Sequence, residues 1–146
     1  MTAKSIFVDT AGWMMLADGA DPMHRHAVTA RDSWLEQGGL LVSTDFVLDE
    51  TLTLIRFRLG LDAAEDWWDQ VEDSARLVWE WIDPSRAEKA RRWLFRWRDK
   101  EFSFTDCTSF VVMKDRRLRV ALTSDHHFAQ AGFELVPQPR GKPARI

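Results

Sequence analysis

The chain has 146 residues, of which 45% are hydrophobic, and its formal net charge is −3 at pH 7. This length fits one domain, and this apolar fraction argues against a disordered chain. No apolar run is long enough to span a bilayer, and the N-terminus lacks the apolar stretch of a signal peptide, so we expect a cytoplasmic protein. The single cysteine, Cys107, excludes a disulfide within one chain, and its apolar neighbours predict a buried, inert thiol.

Short β-type segments alternate with helical patterns, which predicts an α/β fold with a mainly parallel sheet. In chain order, the predicted strands are residues 5–9, 40–43, 77–82, 118–123 and 134–136. The predicted helices are residues 10–17, 23–37, 45–59, 62–73, 84–98 and 105–115, followed by a short helix that starts at 125 or 126 and reaches about 131. Thr44 or Asp45 is the expected N-cap of the third helix, and Gly60 is expected to end it. Thr105 is the expected N-cap of the helix that reaches residue 115.

Charge and aromatic residues are unevenly spread along the chain. Residues 62–73 are acidic and contain no base, whereas residues 86–101 are rich in lysine and arginine. A local basic surface attracts phosphates even when the total charge is slightly negative, although a solvated helix face is the alternative. The tryptophans cluster at 67–68 and 79–97, and we expect some in the core and some on a contact surface. Prolines after residue 136 predict an extended tail, so we divide the chain into a domain, 1–136, and a basic C-terminal tail, 137–146.

Four carboxylates occupy corresponding places in this layout: Asp9, Glu50, Asp106 and Asp125. The first ends a strand, the last follows a strand by two residues, and the other two lie near helix starts. Because strand C-termini and helix N-termini share one edge of a parallel α/β sheet, we expect these acids to converge in one crevice. Each also has a local alternative, as a helix cap or, for Glu50, as the partner of a buried arginine. One shared metal site explains all four better than four separate coincidences.

Helical phase separates Glu50 from its neighbour Asp49. Glu50 shares a face with Val47, Leu54 and Phe57 at helical spacing, so we expect its carboxylate to lie on an apolar face with a compensating partner. Asp49 falls on a different face and is expected to be solvated.

An all-oxygen ligand set suits a hard cation, Mg²⁺ or Mn²⁺. Without a cation the acids repel one another and some bind protons, whereas a bound ion lowers the pKa of a water that can attack a phosphodiester. The histidines are expected to have solvent or packing roles, and they are His24, His26, His126 and His127. The sequence contains no glycine-rich phosphate loop and no recognisable nucleophile turn.

Four stretches, in this order and spacing, resemble the PIN-domain family and within it the VapC-type toxins of toxin–antitoxin pairs: IFVDTAGW (6–13), VSTDFVLDETLTLIR (42–56), FSFTDCTSFVVMK (102–114) and ALTSDHHFAQAGFELV (121–136). The resemblance covers nearly the whole chain. It implies that the acidic metal residues of the family are Asp9, Glu50, Asp106 and Asp125.

The resemblance also points to polar residues beside these acids. The family's hydroxyl near the first acid matches Thr10, but the next position, often serine or asparagine in relatives, is Ala11. Ser124, beside Asp125, is a candidate to replace part of that contact.

The resemblance implies a Rossmann-like three-layer sandwich, with a mostly parallel sheet of about five strands and a helical protrusion. It further implies a homodimer that cleaves RNA with Mg²⁺ or Mn²⁺. A protein antitoxin would block the site, and DNA would be bound only indirectly, through that antitoxin. Residues 86–100 and three arginines, Arg116, Arg117 and Arg119, are candidate contacts to the RNA backbone.

Two other functions remain open from the residues alone. One is a phosphotransfer domain with Asp9 as the nucleophile, but a haloacid-dehalogenase-like enzyme would need a second acid at position 11, which is alanine. A receiver domain would need an acid pair near the end of the first strand and a lysine after a late strand, and neither is evident. The other function is a catalytically silent interaction module with a relict acidic pocket. Metal-dependent RNA cleavage that is lost on Asp9→Asn separates the nuclease from both.

Overall fold

The computed structural model describes residues 4–138 of the chain. Its strands are β1 (Ile6–Val8), β2 (Leu41–Thr44), β3 (Leu77–Glu80), β4 (Val120–Leu122) and β5 (Glu134–Val136). Its helices are α1 (Thr10–Ala17), α2 (His24–Glu36), α3 (Asp45–Leu59), α4 (Leu61–Glu72), α5 (Pro84–Arg96), α6 (Phe104–Asp115) and α7 (His127–Gln130). Every predicted element is present, so the predicted α/β class is confirmed. The predicted basic tail, 137–146, lies largely outside the described residues and stays a prediction.

The sheet has five strands in the order β3-β2-β1-β4-β5, and all four pairings between neighbours are parallel. The central strand is β1, in which Phe7 pairs with Val42 on one side and with Ala121 on the other. The chain adds β2 and β3 on one side of β1, and then adds β4 and β5 on the other side. The direction of strand addition therefore reverses between β1 and β4. A crevice therefore opens at the carboxyl ends of β1 and β4, which is where ligands bind in such sheets.

Helices cover the sheet, and the inner strands are accordingly apolar along their whole length. Ile6, Phe7, Val8 and Val42 are all fully buried, as expected for a parallel sheet covered on both faces. Helix α1 approaches β4 closely at Gly12, where a Cβ atom would lie 2.0 Å from the backbone oxygen of Leu122. This contact fixes the start of α1, and with it the residue that precedes the helix, against the sheet.

Helices α3 and α4 follow one another at Gly60 and pack together, whereas the helical protrusion stays a prediction. Thr44 caps α3 by accepting a hydrogen bond from the backbone N–H of Val47, and Gly60 ends the helix with a φ of 105°, as predicted. Phe57 and Leu61, on either side of Gly60, are exposed. No helix among residues 4–138 has the length and apolar character needed to cross a membrane.

The tryptophans divide between core and surface, as the sequence predicted. Trp67 is buried and meets the ring of Trp13 edge-on, with 5.6 Å between the ring centroids. In contrast, the side chains of Trp81 and Trp97 are 68% and 43% exposed.

Candidate active site: an acidic cleft at the carboxyl edge of the sheet

A cleft of about 310 Å³ lies at the carboxyl edge of the sheet, beside β1 and β4. Its lining includes all six residues that the sequence singled out, which are Asp9, Thr10, Glu50, Asp106, Ser124 and Asp125. They come from the ends of β1 and β4 and from helices α1, α3 and α6. The fold thus brings together acids that are far apart in the sequence, as the strand and helix pattern predicted.

Asp9 lies at the base of the cleft and is 6% exposed. One carboxylate oxygen accepts a 2.8 Å hydrogen bond from the backbone N–H of Gly12, which makes Asp9 the N-cap of α1. The other accepts a 2.8 Å hydrogen bond from the hydroxyl of Thr123. Asp9 therefore has the capping role considered as an alternative and also faces the other acids of the cleft.

The pKa of Asp9 is raised to about 7, chiefly by burial, with a smaller upward contribution from the charges of Asp125 and Asp106, while the hydrogen bonds from Gly12 and Thr123 act in the opposite direction. The raised pKa favours the protonated form of this carboxyl group when no cation is bound. A bound cation would replace that proton and supply the missing positive charge.

Asp106 lies in the first turn of α6, where it forms a capping box with Ser103. The carboxylate of Asp106 accepts a 3.0 Å hydrogen bond from the backbone N–H of Ser103, whose hydroxyl in turn accepts one from the N–H of Asp106. The expectation that Thr105 caps this helix was wrong, because Ser103 occupies the N-cap. Burial raises the pKa of Asp106, and the charge of Asp125 acts in the same direction.

Asp125 follows β4 and is held by two backbone contacts. Its N–H donates to the hydroxyl of Thr123 at 2.9 Å, and its carboxylate accepts a 2.9 Å hydrogen bond from the N–H of His127. The hydroxyl of Thr123 thereby connects Asp125 to Asp9. Thr123 is fully buried, and sequence reasoning missed it in favour of its exposed neighbour Ser124.

His127 contacts two of the acids, so the expectation of a solvent or packing role was wrong for this histidine. Its Nδ1 atom lies 2.9 Å from a carboxylate oxygen of Asp125 and 3.7 Å from one of Asp106. The sequence placed His127 on a short helix after β4 but could not show that this helix lies against the start of α6.

Glu50 lines the cleft from the second turn of α3, but its side chain is exposed. Glu50 shares the cleft with Val47 and Leu54, as predicted, but the expectation that its carboxylate has a compensating partner was wrong. The face of α3 that packs against the core carries Val47, Thr51 and Ile55, whereas Phe57 is 77% exposed. Glu50 needs no buried partner because solvent reaches its carboxylate.

The cleft also contains three polar lining residues to which the sequence analysis gave no role. Asp21 adds a carboxylate from the loop before α2, and Ser109 adds a buried hydroxyl one turn after Asp106. Arg58 contributes a guanidinium that makes no ion pair with any residue in the described range 4–138. It lies two turns after Glu50 on α3, so helical spacing was the signal that could have found it.

The donors in this cleft fit a hard divalent cation. The four predicted acids supply only oxygen, and the hydroxyl of Thr10 is buried without a hydrogen-bond partner among the described residues. Asp125 also belongs to a second possible ligand group, because it lies within 4.8 Å of ring nitrogens of His126 and His127. Cys107 is not a ligand of this cleft, because it is buried outside the lining, and burial raises its pKa to about 12.

Comparison with known proteins agrees with this geometry. Residues 6–134 match the PIN domain family. The chain belongs to the PIN-domain family. The family predicted from the four sequence stretches is thus confirmed, and membership in a nuclease family argues against the phosphotransfer alternative.

Individual proteins similar to this PIN domain were found both by sequence and by structure. The chain is 34% identical over 134 residues to the 23S rRNA-specific endonuclease VapC20 from each of two strains of Mycobacterium tuberculosis. The aligned region covers 91% of this chain and 99% of VapC20. The crystal structure of that VapC20, described as a sarcin–ricin loop cleaving toxin, superposes with a TM-score of 0.78 over 88% of this chain and 95% of the other. FitAcB from Neisseria gonorrhoeae, at 17% identity and a TM-score of 0.63 over 89% of this chain and 95% of the other, shares the fold.

Proposed function

We propose that this PIN domain is a metal-dependent endoribonuclease whose substrate is a loop of 23S ribosomal RNA. The observation that carries the proposal is the convergence of Asp9, Glu50, Asp106 and Asp125 in one cleft at the switch point of the sheet. The choice of RNA rests on the 34% identity to VapC20, which spans nearly the whole of both chains.

The residues of the cleft divide into fixed and free groups. Asp9, Asp106 and Asp125 are each held by hydrogen bonds from helix N-termini, so their carboxylates have defined positions before any ligand arrives. Glu50, the fourth acid of the cleft, is exposed, so its side chain can adjust its position when a ligand binds. When bound, Mg²⁺ or Mn²⁺ at such a site polarises a phosphoryl oxygen and lowers the pKa of a coordinated water, which is the chemistry that phosphodiester hydrolysis requires.

Arg58 is the residue of the cleft best suited to hold substrate. Its guanidinium lines an otherwise acidic cavity and has no carboxylate partner among the residues that the structure covers. An unpaired guanidinium forms paired hydrogen bonds with a phosphate. We assign it to a phosphate of the RNA next to the bond that is cleaved.

The biological setting follows the relatives. We propose that the protein is a cytoplasmic toxin, that it forms a homodimer, and that a protein antitoxin blocks the cleft. Any contact with DNA would be made by the antitoxin.

Cleavage of purified ribosomes and of a mixed RNA pool tests the proposed function. The wild-type protein, freed of any bound antitoxin, is incubated with Mg²⁺, with Mn²⁺ and with excess EDTA, and the RNA ends are mapped. We expect cleavage with either cation, at one loop of 23S RNA, and none with EDTA. Cleavage that persists in EDTA would contradict the metal site, and no cleavage of any RNA would favour the silent interaction module.

A further inference from the structure

A second depression, of about 430 Å³, lies between α5 and the C-terminal end of α6. We call it the basic groove, and its principal lining residues are Lys89, Arg92, Trp93, Arg96, Trp97 and Lys114. No carboxylate is found among the described residues that line it. The groove thus has the opposite charge to the acidic cleft.

Much of the positive charge in the basic groove is available to a ligand. Arg96 and Lys114 have no carboxylate within 4.0 Å among residues 4–138. Lys89 lies 3.7 Å from Asp115, and Arg92 lies 3.3 Å from Glu88, but these pairs are exposed. Exposed ion pairs are weak and exchange readily for a phosphate.

Trp97 gives the basic groove an exposed aromatic side chain. It is 43% exposed, immediately after the end of α5, and the guanidinium of Arg96 lies 5.3 Å from its ring centroid. Aromatic rings between cations are the arrangement with which proteins bind unpaired nucleotides, since the ring stacks on a base while the cations contact phosphates.

The basic groove lies near the acidic cleft, because a short chain of packed side chains separates them. A smaller depression is lined by Trp93, Trp97 and Phe102, so it shares both tryptophans with the groove. The ring of Phe102 meets the ring of His127 edge-on, with 5.9 Å between the centroids. His127 in turn contacts Asp106 in the cleft. Phe102 is largely buried, so these contacts place the basic groove two side chains away from the acidic cleft through the packed interior.

We propose that the basic groove is a second RNA-binding site, which holds the phosphates of the strand away from the cleavage point and stacks one unpaired base on Trp97. This inference rests on the proposed function and adds a substrate feature to it: the RNA needs an unpaired nucleotide beyond those held at the cleft. An acidic protein surface is the competing occupant, and it would need the lysines and arginines but not the ring of Trp97.

Binding of RNA to the Asp9→Asn protein tests the proposal without cleavage. The probe is a fluorescein-labelled stem-loop RNA of about thirty nucleotides, followed by anisotropy in Mg²⁺ at several salt concentrations. Arg96→Gln combined with Lys114→Gln removes two exposed cations of the groove. Arg25→Gln combined with Arg56→Gln is the matched control, because both residues are exposed arginines outside the groove.

We expect the groove pair to weaken binding roughly tenfold at low salt and to reduce the slope of log Kd against log salt by about 0.7 for each lost phosphate contact. The control pair should change both quantities much less. Trp97→Ala should weaken binding by roughly five- to one-hundredfold, with Trp97→Phe close to wild type, because a phenyl ring still stacks.

Equal effects of the groove pair and the control pair would overturn the proposal, because they would show a diffuse response to net charge. An effect of the cations with none of Trp97→Ala would also overturn it and would favour an acidic protein surface as the occupant. Cleavage by the wild-type protein is measured separately, so a failure of the groove and a failure of the nuclease are distinguishable. Circular dichroism of each variant checks that the fold is retained.

Discussion

The acidic cleft and the basic groove share a helix but are built differently. Helix α6 carries Asp106 in its first turn, which lines the cleft, and Lys114 in its last turn, which lines the groove. These charges also suit the two ends of the helix dipole. In the cleft, hydrogen bonds from the backbone hold three carboxylates, whereas the groove residues have few fixed partners. We attribute the difference in how firmly the side chains are held to their proposed roles. Hydrolysis requires groups in fixed positions, whereas RNA binding requires positive charge and an exposed ring.

The largest expected effect comes from Asp9→Asn, which changes the charge of the cleft but not its shape. The amide oxygen of asparagine can still accept the hydrogen bond from Gly12, so the fold should persist. We expect the rate of RNA cleavage to fall about a thousandfold, which corresponds to roughly 4 kcal/mol of transition-state stabilisation. RNA binding should remain close to wild type. Single-turnover cleavage and anisotropy measure the two effects, and loss of both together would contradict the division between cleft and groove.

Glu50→Gln should give the next largest loss, about a hundredfold in single-turnover rate or roughly 2.7 kcal/mol. Asp49→Asn is the matched control, because Asp49 is the adjacent exposed acid of α3 and does not line the acidic cleft. It should leave the rate unchanged. Equal losses in the two variants would show that net charge, rather than a place in the cleft, accounts for the effect.

Arg58→Gln should mainly weaken the hold on substrate. We expect KM to rise roughly fivefold, or about 1 kcal/mol, with a smaller change in kcat. Arg56→Gln serves as the control, since Arg56 is exposed on the same helix and lies over the ring of Phe57 rather than in the cleft. A fall in kcat with KM unchanged would place Arg58 at the transition state instead.

The smallest expected effect is a pH dependence of stability in the metal-free protein. The pKa of Asp9 is about 7 in the folded chain and 3.8 without the fold, so the folded state binds a proton more tightly. The contribution of the Asp9 carboxyl to the free energy of unfolding is therefore lost as the pH rises from about 4 to about 7. We expect Tm in EDTA to be several degrees lower at pH 8 than at pH 6.

The variant Asp9→Asn should reduce this pH dependence, because its side chain does not titrate. Added Mn²⁺ should raise Tm of the wild-type protein more at pH 8 than at pH 6, since a proton competes with the cation for Asp9. Thermal unfolding followed by circular dichroism measures both. A pH dependence that is identical in the two proteins would contradict the raised pKa.

The fold and the acids were predictable because their signals are local. Apolar runs located the strands, Gly60 ended α3, and an acid followed two of the buried strands. The N-cap of α6 was misplaced because Thr105 offered an equally suitable hydroxyl, whereas the structure forms the capping box between Ser103 and Asp106.

Other features depend on tertiary distances that one sequence does not contain. The contact of His127 with Asp106 arises because α7 packs beside the start of α6. The exposure of Glu50 depends on which face of α3 meets the core, and Phe57, which is exposed, gave a misleading apolar signal. The basic groove joins residues of α5 to Lys114 of α6, and only the packed structure shows that they share one depression.

The location of a bound cation tests the central claim most directly. Crystals of the protein soaked in Mn²⁺, with X-ray data collected near the manganese absorption edge, give the position of the ion from its anomalous signal. We expect a peak in the acidic cleft between Asp9, Asp106 and Asp125, and we expect it to be lost in Asp9→Asn. A peak confined to the group formed by Asp125, His126 and His127, with none beside Asp9, would contradict the claim.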